Sequence, residues 1–303
     1  MRLPDRFIQT LKHIHKERAE EWLCNFGNQM ALFEQKWGLS IHEPFDLSFN
    51  FVAPATRKNR EEVVVKAVLS DKEFRRELEV LKRMKGSGMV KLLEYDQDQG
   101  VMLLERLRPG YTLAEVEDEE EAARIASHIM KSLWVTASHH SDIETVMDRE
   151  NSLKRIARQH THGFGPISSE LICTALKVFK QLNREIQEPY LLHGDLHHYN
   201  ILKNGHSWMA IDPKGLIGDR EYDVIQYLLN NLPETNQKEI IEKRIHIFVE
   251  ELDLVKERVL LRGFSHAVLS TCWTVEDGNF NEKFFGTIEI FQELCRQSGL
   301  EVI

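Results

Sequence analysis

The stretch His193-Gly194-Asp195-Leu196-His197-His198-Tyr199-Asn200, with Trp208-Met209-Ala210-Ile211-Asp212 behind it, decides how the rest of the chain is read. Tyr190-Leu191-Leu192 is an apolar run that brings the chain to the first segment, and Ile201-Leu202 takes it back through the core. Asp212 ends its own run because Pro213 follows, and proline pushes the residue before it out of helix and toward extended backbone. Asn200 and Asp212 are thereby expected at strand ends. An Asp, an Asn five residues on and a later Asp at the end of a β-run are the groups phosphoryl transfer brings to one spot. On this reading Asp195 takes the acceptor's hydroxyl proton, Asn200 and Asp212 hold Mg²⁺ on the phosphates of ATP, and His193 braces the loop.

Upstream, Phe45, Leu47, Phe49 and Phe51 alternate with polar positions as a half-buried strand does. Pro54 to Arg60 reads as a turn, and Glu61 to Leu69 as the returning strand of a hairpin. Lys66 lies in a β-branched run, on the side of Val64 and Val68, where an ammonium needs a partner. The next helix offers one. Ser70-Asp71-Lys72-Glu73 is a capping box that starts a helix running to Lys85. Glu77 falls on its apolar stripe with Phe74, Leu78 and Leu81. A Lys66–Glu77 pair is the device by which kinases aim a lysine at the α- and β-phosphates.

Residues 5 to 38 read as two helices of scaffold. Val90 to Tyr95 and Val101 to Glu105 complete a small antiparallel sheet, and Pro109-Gly110 just beyond marks a boundary. From there the chain is mainly helical. Asp118 to His139 is one amphipathic run, Ser141-Asp142-Ile143-Glu144 is a second capping box, Leu171 to Ile186 is another run, and three helices follow near 235–251, 255–273 and 280–297. The acid run Glu117 to Glu121 suits a solvated helix start, where the dipole favours carboxylates. Glu276 and Asp277 stand instead at a helix C-terminus, which the dipole disfavours, and a cationic acceptor supplies a reason for them.

A chain of 303 residues with 42% hydrophobic and 29% charged residues has ample material for a core. Its net charge of −9 speaks against a nucleic-acid partner, which needs a basic face, and is compatible with a small cationic substrate. Cys24, Cys173, Cys272 and Cys295 lie far apart, so neither a zinc site nor a disulfide framework is expected. No segment approaches the ~20 apolar residues of a membrane span, and no signal-length apolar stretch follows Met1. A cytoplasmic enzyme with access to ATP is the expectation.

H-G-D-L-H-H-Y-N followed by W-M-A-I-D-P-K-G-L-I-G-D resembles the aminoglycoside phosphotransferases, in particular the streptomycin 6-kinase-like branch, the aminoglycoside/hydroxyurea resistance kinases. The resemblance runs from Phe49-Asn50-Phe51-Val52-Ala53-Pro54-Ala55-Thr56 to Trp273-Thr274-Val275-Glu276-Asp277-Gly278. It implies an α+β, protein-kinase-like fold of two lobes: residues 1–106 as a nucleotide-binding lobe with two leading helices, and 107–303 as a helical lobe with the catalytic loop and acceptor site. It implies that the linker backbone at Glu105 and Leu107 pairs with adenine, that Asp223 braces the catalytic loop, and that Asp219, Glu276 and Asp277 grip a cationic acceptor. The hairpin that lies over the nucleotide in such folds has no glycine here, so phosphate contacts come from elsewhere or from amides around Ala53, Ala55 and Thr56. Two other functions share these residues. One is a kinase of hydroxyurea, an amino alcohol or a sugar metabolite, and the other is a nucleotide-binding regulator without turnover.

Overall fold

The computed structural model describes residues 3–84, 86, 88–137, 143–278, 280 and 282–302. The fold is α+β, and the chain forms two compact units, 1–110 with 204–207, and 111–203 with 208–303.

In the first unit, α1 (Asp5–His15) and α2 (Glu17–Trp37) are amphipathic helices that bury Phe7, Leu11, Phe26, Met30 and Phe33. β1 (Leu39–Ile41), β2 (Phe51–Arg57), β3 (Glu62–Ala67), α3 (Asp71–Arg83), β4 (Leu92–Asp96) and β5 (Val101–Glu105) follow. The strands form an antiparallel sheet in the order β1-β2-β3-β5-β4. Phe51, Ala53, Ala55, Val63, Val65, Ala67, Val101 and Leu103 share one buried cluster with α1 and α2, which makes the leading helices the cover of one sheet face. Val64, Lys66, Met102 and Leu104 alternate with these, so they face the other way. α3 begins where the capping box places it, with Glu73 N–H donating to Ser70 Oγ at 3.4 Å. The helix ends at Arg83, and the expected end, Lys85, lies outside the described residues.

The first hairpin strand begins later than the alternation suggests. Phe45 to Asn50 is irregular, with Phe49 61% exposed and Phe45 under the Arg106 guanidinium at 4.5 Å. Pro54 to Arg57, expected as turn, is strand instead. Proline is tolerated there because Pro54 faces the edge side of the sheet, where its carbonyl accepts the His42 N–H at 2.9 Å just past β1, so its missing N–H takes nothing from the β2–β3 ladder.

β6 (Pro109–Thr112) leads toward the second unit. There α4 (Glu119–Leu133) is capped by Asp118, which accepts from the N–H groups of Glu120 and Glu121. This helix is shorter than the expected run to His139, because β7 (Val135–Thr136) follows it. His139, His140 and the Ser141-Asp142 half of the second capping box lie outside the described residues. α5 (Val146–Gln159) uses a later box, in which Thr145 N–H donates to Asp148 Oδ2 at 2.8 Å. α6 (Ser169–Arg184), β8 (Tyr190–Leu192), β9 (Ile201–Asn204), β10 (Ser207–Ala210), β11 (Leu216–Gly218), α7 (Arg220–Asp223) and α8 (Ile225–Leu229) come next. α9 (Gln237–Leu252), α10 (Lys256–Glu276) and α11 (Glu282–Gln297) finish the chain.

β7, β8 and β11 form a sheet with β8 in the middle, Leu192 opposite Leu216 and Tyr190 opposite Gly218. α10 is the packing centre, touching α5, α6, α7, α8, α9 and α11. At Gly263 a Cβ would meet the Phe291 ring at 2.0 Å, so only glycine lets α11 approach. Glu119, read as solvated, instead clamps the fully buried Arg244 with both oxygens, at 2.6 and 3.0 Å. The same guanidinium donates to the carbonyls of Tyr227 and Asn230 at 3.0 and 2.7 Å, which ties down the chain after α8. None of the described helices is long and apolar enough to cross a membrane.

Candidate functional site

In the first unit, Lys66 Nζ donates to Glu77 Oε1 at 2.7 Å, and the two side chains are only 3% and 9% exposed. β3 supplies the lysine and the apolar face of α3 supplies the carboxylate, as the capping box and stripe require. Two buried opposite charges hold each other because neither has water to return to. Replacing Glu77 with Ala is therefore expected to lower unfolding stability by about 3–5 kcal/mol, the usual cost of stranding one partner of a buried pair. Urea unfolding reads this as a lowered midpoint, and an unchanged midpoint would mean that the pair does not bear on stability. Glu105 Oε1 accepts from the Lys91 N–H at 2.7 Å, and its own N–H donates to the Lys91 carbonyl at 3.0 Å, so this side chain is bound into the sheet edge. Leu107 is buried, 5% exposed.

In the second unit, the loop after β8 is fixed from both sides. His193, wholly buried, accepts the Asp195 N–H on Nδ1 at 3.3 Å and sits with Nε2 at 2.9 Å from the Ile211 carbonyl. These partners assign the proton to Nε2 of a neutral ring, and burial pushes the His193 pKa down against the opposing pull of Asp223 and Asp195. Gly194 has φ +80, and a Cβ there would come within 3.2 Å of the Gly215 carbonyl carbon. Its N–H donates to Asp223 Oδ1 at 3.0 Å, while the Trp134 indole N–H donates to Asp223 Oδ2 at 2.9 Å. Asp223 thus braces the loop through Oδ1 and is itself held through Oδ2. His198 stacks on Tyr227 at 3.9 Å, and burial takes its pKa down to about 2.

Asn200 Nδ2 donates to the Asp195 carbonyl at 2.9 Å. That bond commits the amide nitrogen to the loop and leaves the oxygen end to serve as a ligand. The Ile211 N–H donates to the Asn200 carbonyl at 2.9 Å, so the backbone joins Asn200 directly to the residue before Asp212. Asp212 has φ +56, a left-handed conformation that Asp adopts more readily than most residues. Hard oxygen donors from one amide and one carboxylate suit Mg²⁺, which takes few protein ligands and completes its shell with phosphates and water. The described residues contain no group of three or more His, Cys, Asp or Glu that could hold a metal by themselves. Asp195 itself is approached by Lys214, with Nζ 2.7 Å from Oδ2, and by His197, with Nε2 4.0 Å from Oδ1.

The three expected acceptor residues differ in situation. Asp219 is 7% exposed and held by Arg258 at 2.9 Å and by Arg262 at 2.9 and 3.1 Å. A carboxylate gripped by two guanidinium groups of α10 anchors that helix to the start of α7. Arg262 also donates to Asn183 Oδ1 at 2.8 Å, and Asn183 to Glu150 at 2.9 Å. Glu276 lies at the end of α10, where Arg155 grips it with both nitrogens at 2.7 and 2.9 Å. Asp277 caps that helix and is exposed. Sequence reasoning passed over Arg258, Arg262 and Lys214. The signal for the first two was present, since cations four residues apart in the apolar run of α10 require buried carboxylates.

Residues 48–278 match the family described as aminoglycoside/hydroxyurea antibiotic resistance kinase. The chain is 24% identical to streptomycin 6-kinase of Streptomyces griseus, over 91% of this chain and 92% of that one. It is 25% identical to the hydroxyurea phosphotransferase of Kitasatospora aureofaciens, over 91% of this chain and 81% of the relative. Among solved structures, a thermostable aminoglycoside phosphotransferase in ternary complex with ADP and hygromycin B has the same protein-kinase-like fold, with a TM-score of 0.61. It is 14% identical and covers 89% of this chain and 99% of its own.

Proposed function

The chain belongs to the aminoglycoside/hydroxyurea antibiotic resistance kinase family, and from that membership we propose that it moves the γ-phosphoryl group of ATP to a hydroxyl of a streptomycin-like aminoglycoside. It is a small-molecule kinase. The observation that carries the proposal is the loop from His193 to Asn200, in which the Asp195 N–H is bonded to His193 and the Asp195 carbonyl to the Asn200 amide, so that the residue bearing the carboxylate is fixed from both sides. In this reading residues 1–106 bind the nucleotide and 107–303 carry the catalytic loop and acceptor site, and the enzyme works in the cytoplasm, where ATP is supplied.

Asp195 orients the acceptor hydroxyl and takes its proton. Lys66, aimed by Glu77, serves the α- and β-phosphates, and the main chain of Glu105 and Leu107 serves adenine. Asn200 and Asp212 would hold Mg²⁺, which when bound neutralises phosphate charge. At the acceptor end, Asp277 and Glu276 receive cationic groups, and an incoming guanidinium takes the place of Arg155 on Glu276.

Hydroxyurea is the second reading, supported by the hydroxyurea phosphotransferase at 25% identity, beside 24% for the streptomycin 6-kinase. The deciding experiment is Mg²⁺-dependent ADP production by the purified protein, with Asp195→Ala as the blank. Streptomycin, other aminoglycosides, hydroxyurea and simple amino alcohols serve as acceptors. A response to streptomycin well above the blank is expected. A response to hydroxyurea alone moves the substrate, and a wild type equal to its blank with every acceptor defeats the kinase proposal.

A further inference from the structure

We infer that Lys214 is a catalytic cation of this site: in the free enzyme it occupies Asp195, and during transfer it balances the charge of the moving phosphoryl group. The inference rests on the kinase reading above. Lys214 Nζ lies 2.7 Å from Asp195 Oδ2, yet its side chain is 64% exposed. An exposed ion pair of this kind adds little to stability, so holding the fold together is a poor account of it. The lysine is rooted firmly and tipped loosely. Behind it stand the left-handed Asp212 and the buried Pro213, and after it the Gly215 N–H donates to the His193 carbonyl at 2.9 Å. The backbone position is therefore tied to the catalytic loop, while four methylenes leave the ammonium free to move by a few ångströms.

Charge accounting gives the lysine its task. Within 4.0 Å of Asp195 the only basic side chains among the described residues are His197 and Lys214. His197 stands off at 4.0 Å and faces the Asn200 amide nitrogen at 3.3 Å, while the Lys214 ammonium sits at hydrogen-bond distance, so Lys214 is the cation that the carboxylate holds. In the transfer, the acceptor oxygen forms a bond to the γ-phosphorus as its proton passes to Asp195. The bond between that phosphorus and the β,γ-bridging oxygen breaks, and ADP leaves with the electron pair. An acceptor oxygen hydrogen-bonded to Asp195 sits ~2.8 Å from the carboxylate, and reacting atoms close to ~3–3.5 Å before transfer. The phosphoryl oxygens therefore pass within reach of an ammonium now sitting on Oδ2. Hydroxyl and ammonium need different oxygens of Asp195, and the carboxylate has two.

Lys214→Met and Lys214→Arg are compared with wild type in steady-state kinetics and in titration calorimetry of Mg²⁺-ADP with and without tetrafluoroaluminate, which with ADP mimics the transferring group. Loss of an interaction made only during transfer should lower kcat of Lys214→Met about 100-fold, as removal of one charge-stabilising donor does. KM for ATP and acceptor should stay within about threefold, the pattern of a group felt mainly in the transition state. Lys214→Arg should recover most of the loss. Met should weaken the ADP–fluoride complex about 100-fold and leave ADP binding unchanged, in step with kcat. A kcat near wild type, or equal weakening of ADP with and without fluoride, overturns the inference. The kinase reading fails separately, by a wild type with no turnover on any acceptor, and the role of Lys214 then falls with it.

Discussion

Asp195→Asn is expected to lower kcat by about 10³-fold, within the range lost when a positioned general base is removed. The substitution leaves the loop as it is. The Asp195 N–H still meets His193 Nδ1, and its carbonyl still receives Asn200, since both bonds belong to the backbone. What changes is chemical. An amide cannot take the hydroxyl proton, and its NH₂ end is an ill-suited neighbour for the Lys214 ammonium. KM for ATP should change little if, as proposed, Asp195 serves the acceptor. ADP production under saturating ATP reads the effect, with circular dichroism as the check on folding. A loss of less than tenfold would remove Asp195 from proton transfer.

Asp212→Asn should be comparably damaging for a different reason. Asn tolerates the left-handed φ of +56 at this position as Asp does, so the backbone and the fold should survive. The charge does not. With one carboxylate fewer on Mg²⁺, activity is expected to fall about 10²–10³-fold, as when a preorganised electrostatic group is lost. Raising Mg²⁺ should recover part of the loss, because binding is what has weakened. A Mg²⁺ titration of initial rate separates the outcomes, and a rate and Mg²⁺ dependence equal to wild type would exclude Asp212 as a ligand.

The helix α3, its capping box and the Lys66–Glu77 pair were legible because each is encoded locally: Ser70 and Glu73 fix where the helix starts, and the stripe then fixes which way Glu77 points. The bracing of the loop by Asp223 came from family likeness, since twenty-nine residues separate it from Gly194. The strand boundary at Phe51 was misread because Phe45, Leu47 and Phe49 alternate by residue type, while only tertiary packing decides that Phe49 stays in solvent. Pro54 misled for a related reason. A proline is excluded from a strand by an unmade hydrogen bond, and whether an inner ladder loses that bond depends on which neighbouring strand the residue faces. The pairing of Asp219 with Arg258 and Arg262 was beyond the sequence, because both reach it from an element some forty residues away.

The hairpin of β2 and β3 has one more implication. Its pairing runs without a break from Phe51↔Ala67 to Thr56↔Glu62, and Phe51, Ala53 and Ala55 are sealed at 0–1% exposure. A glycine-rich flap keeps many backbone states and must surrender them when a ligand arrives, at about 1–2 kcal/mol for each residue frozen. Here that surrender has already happened during folding. On the nucleotide-binding role proposed for this lobe, a nucleotide meeting the hairpin would find a preorganised wall in place of a hinged cover, so recognition would carry a smaller entropic penalty there and discrimination among nucleotides would fall to shape instead of closure.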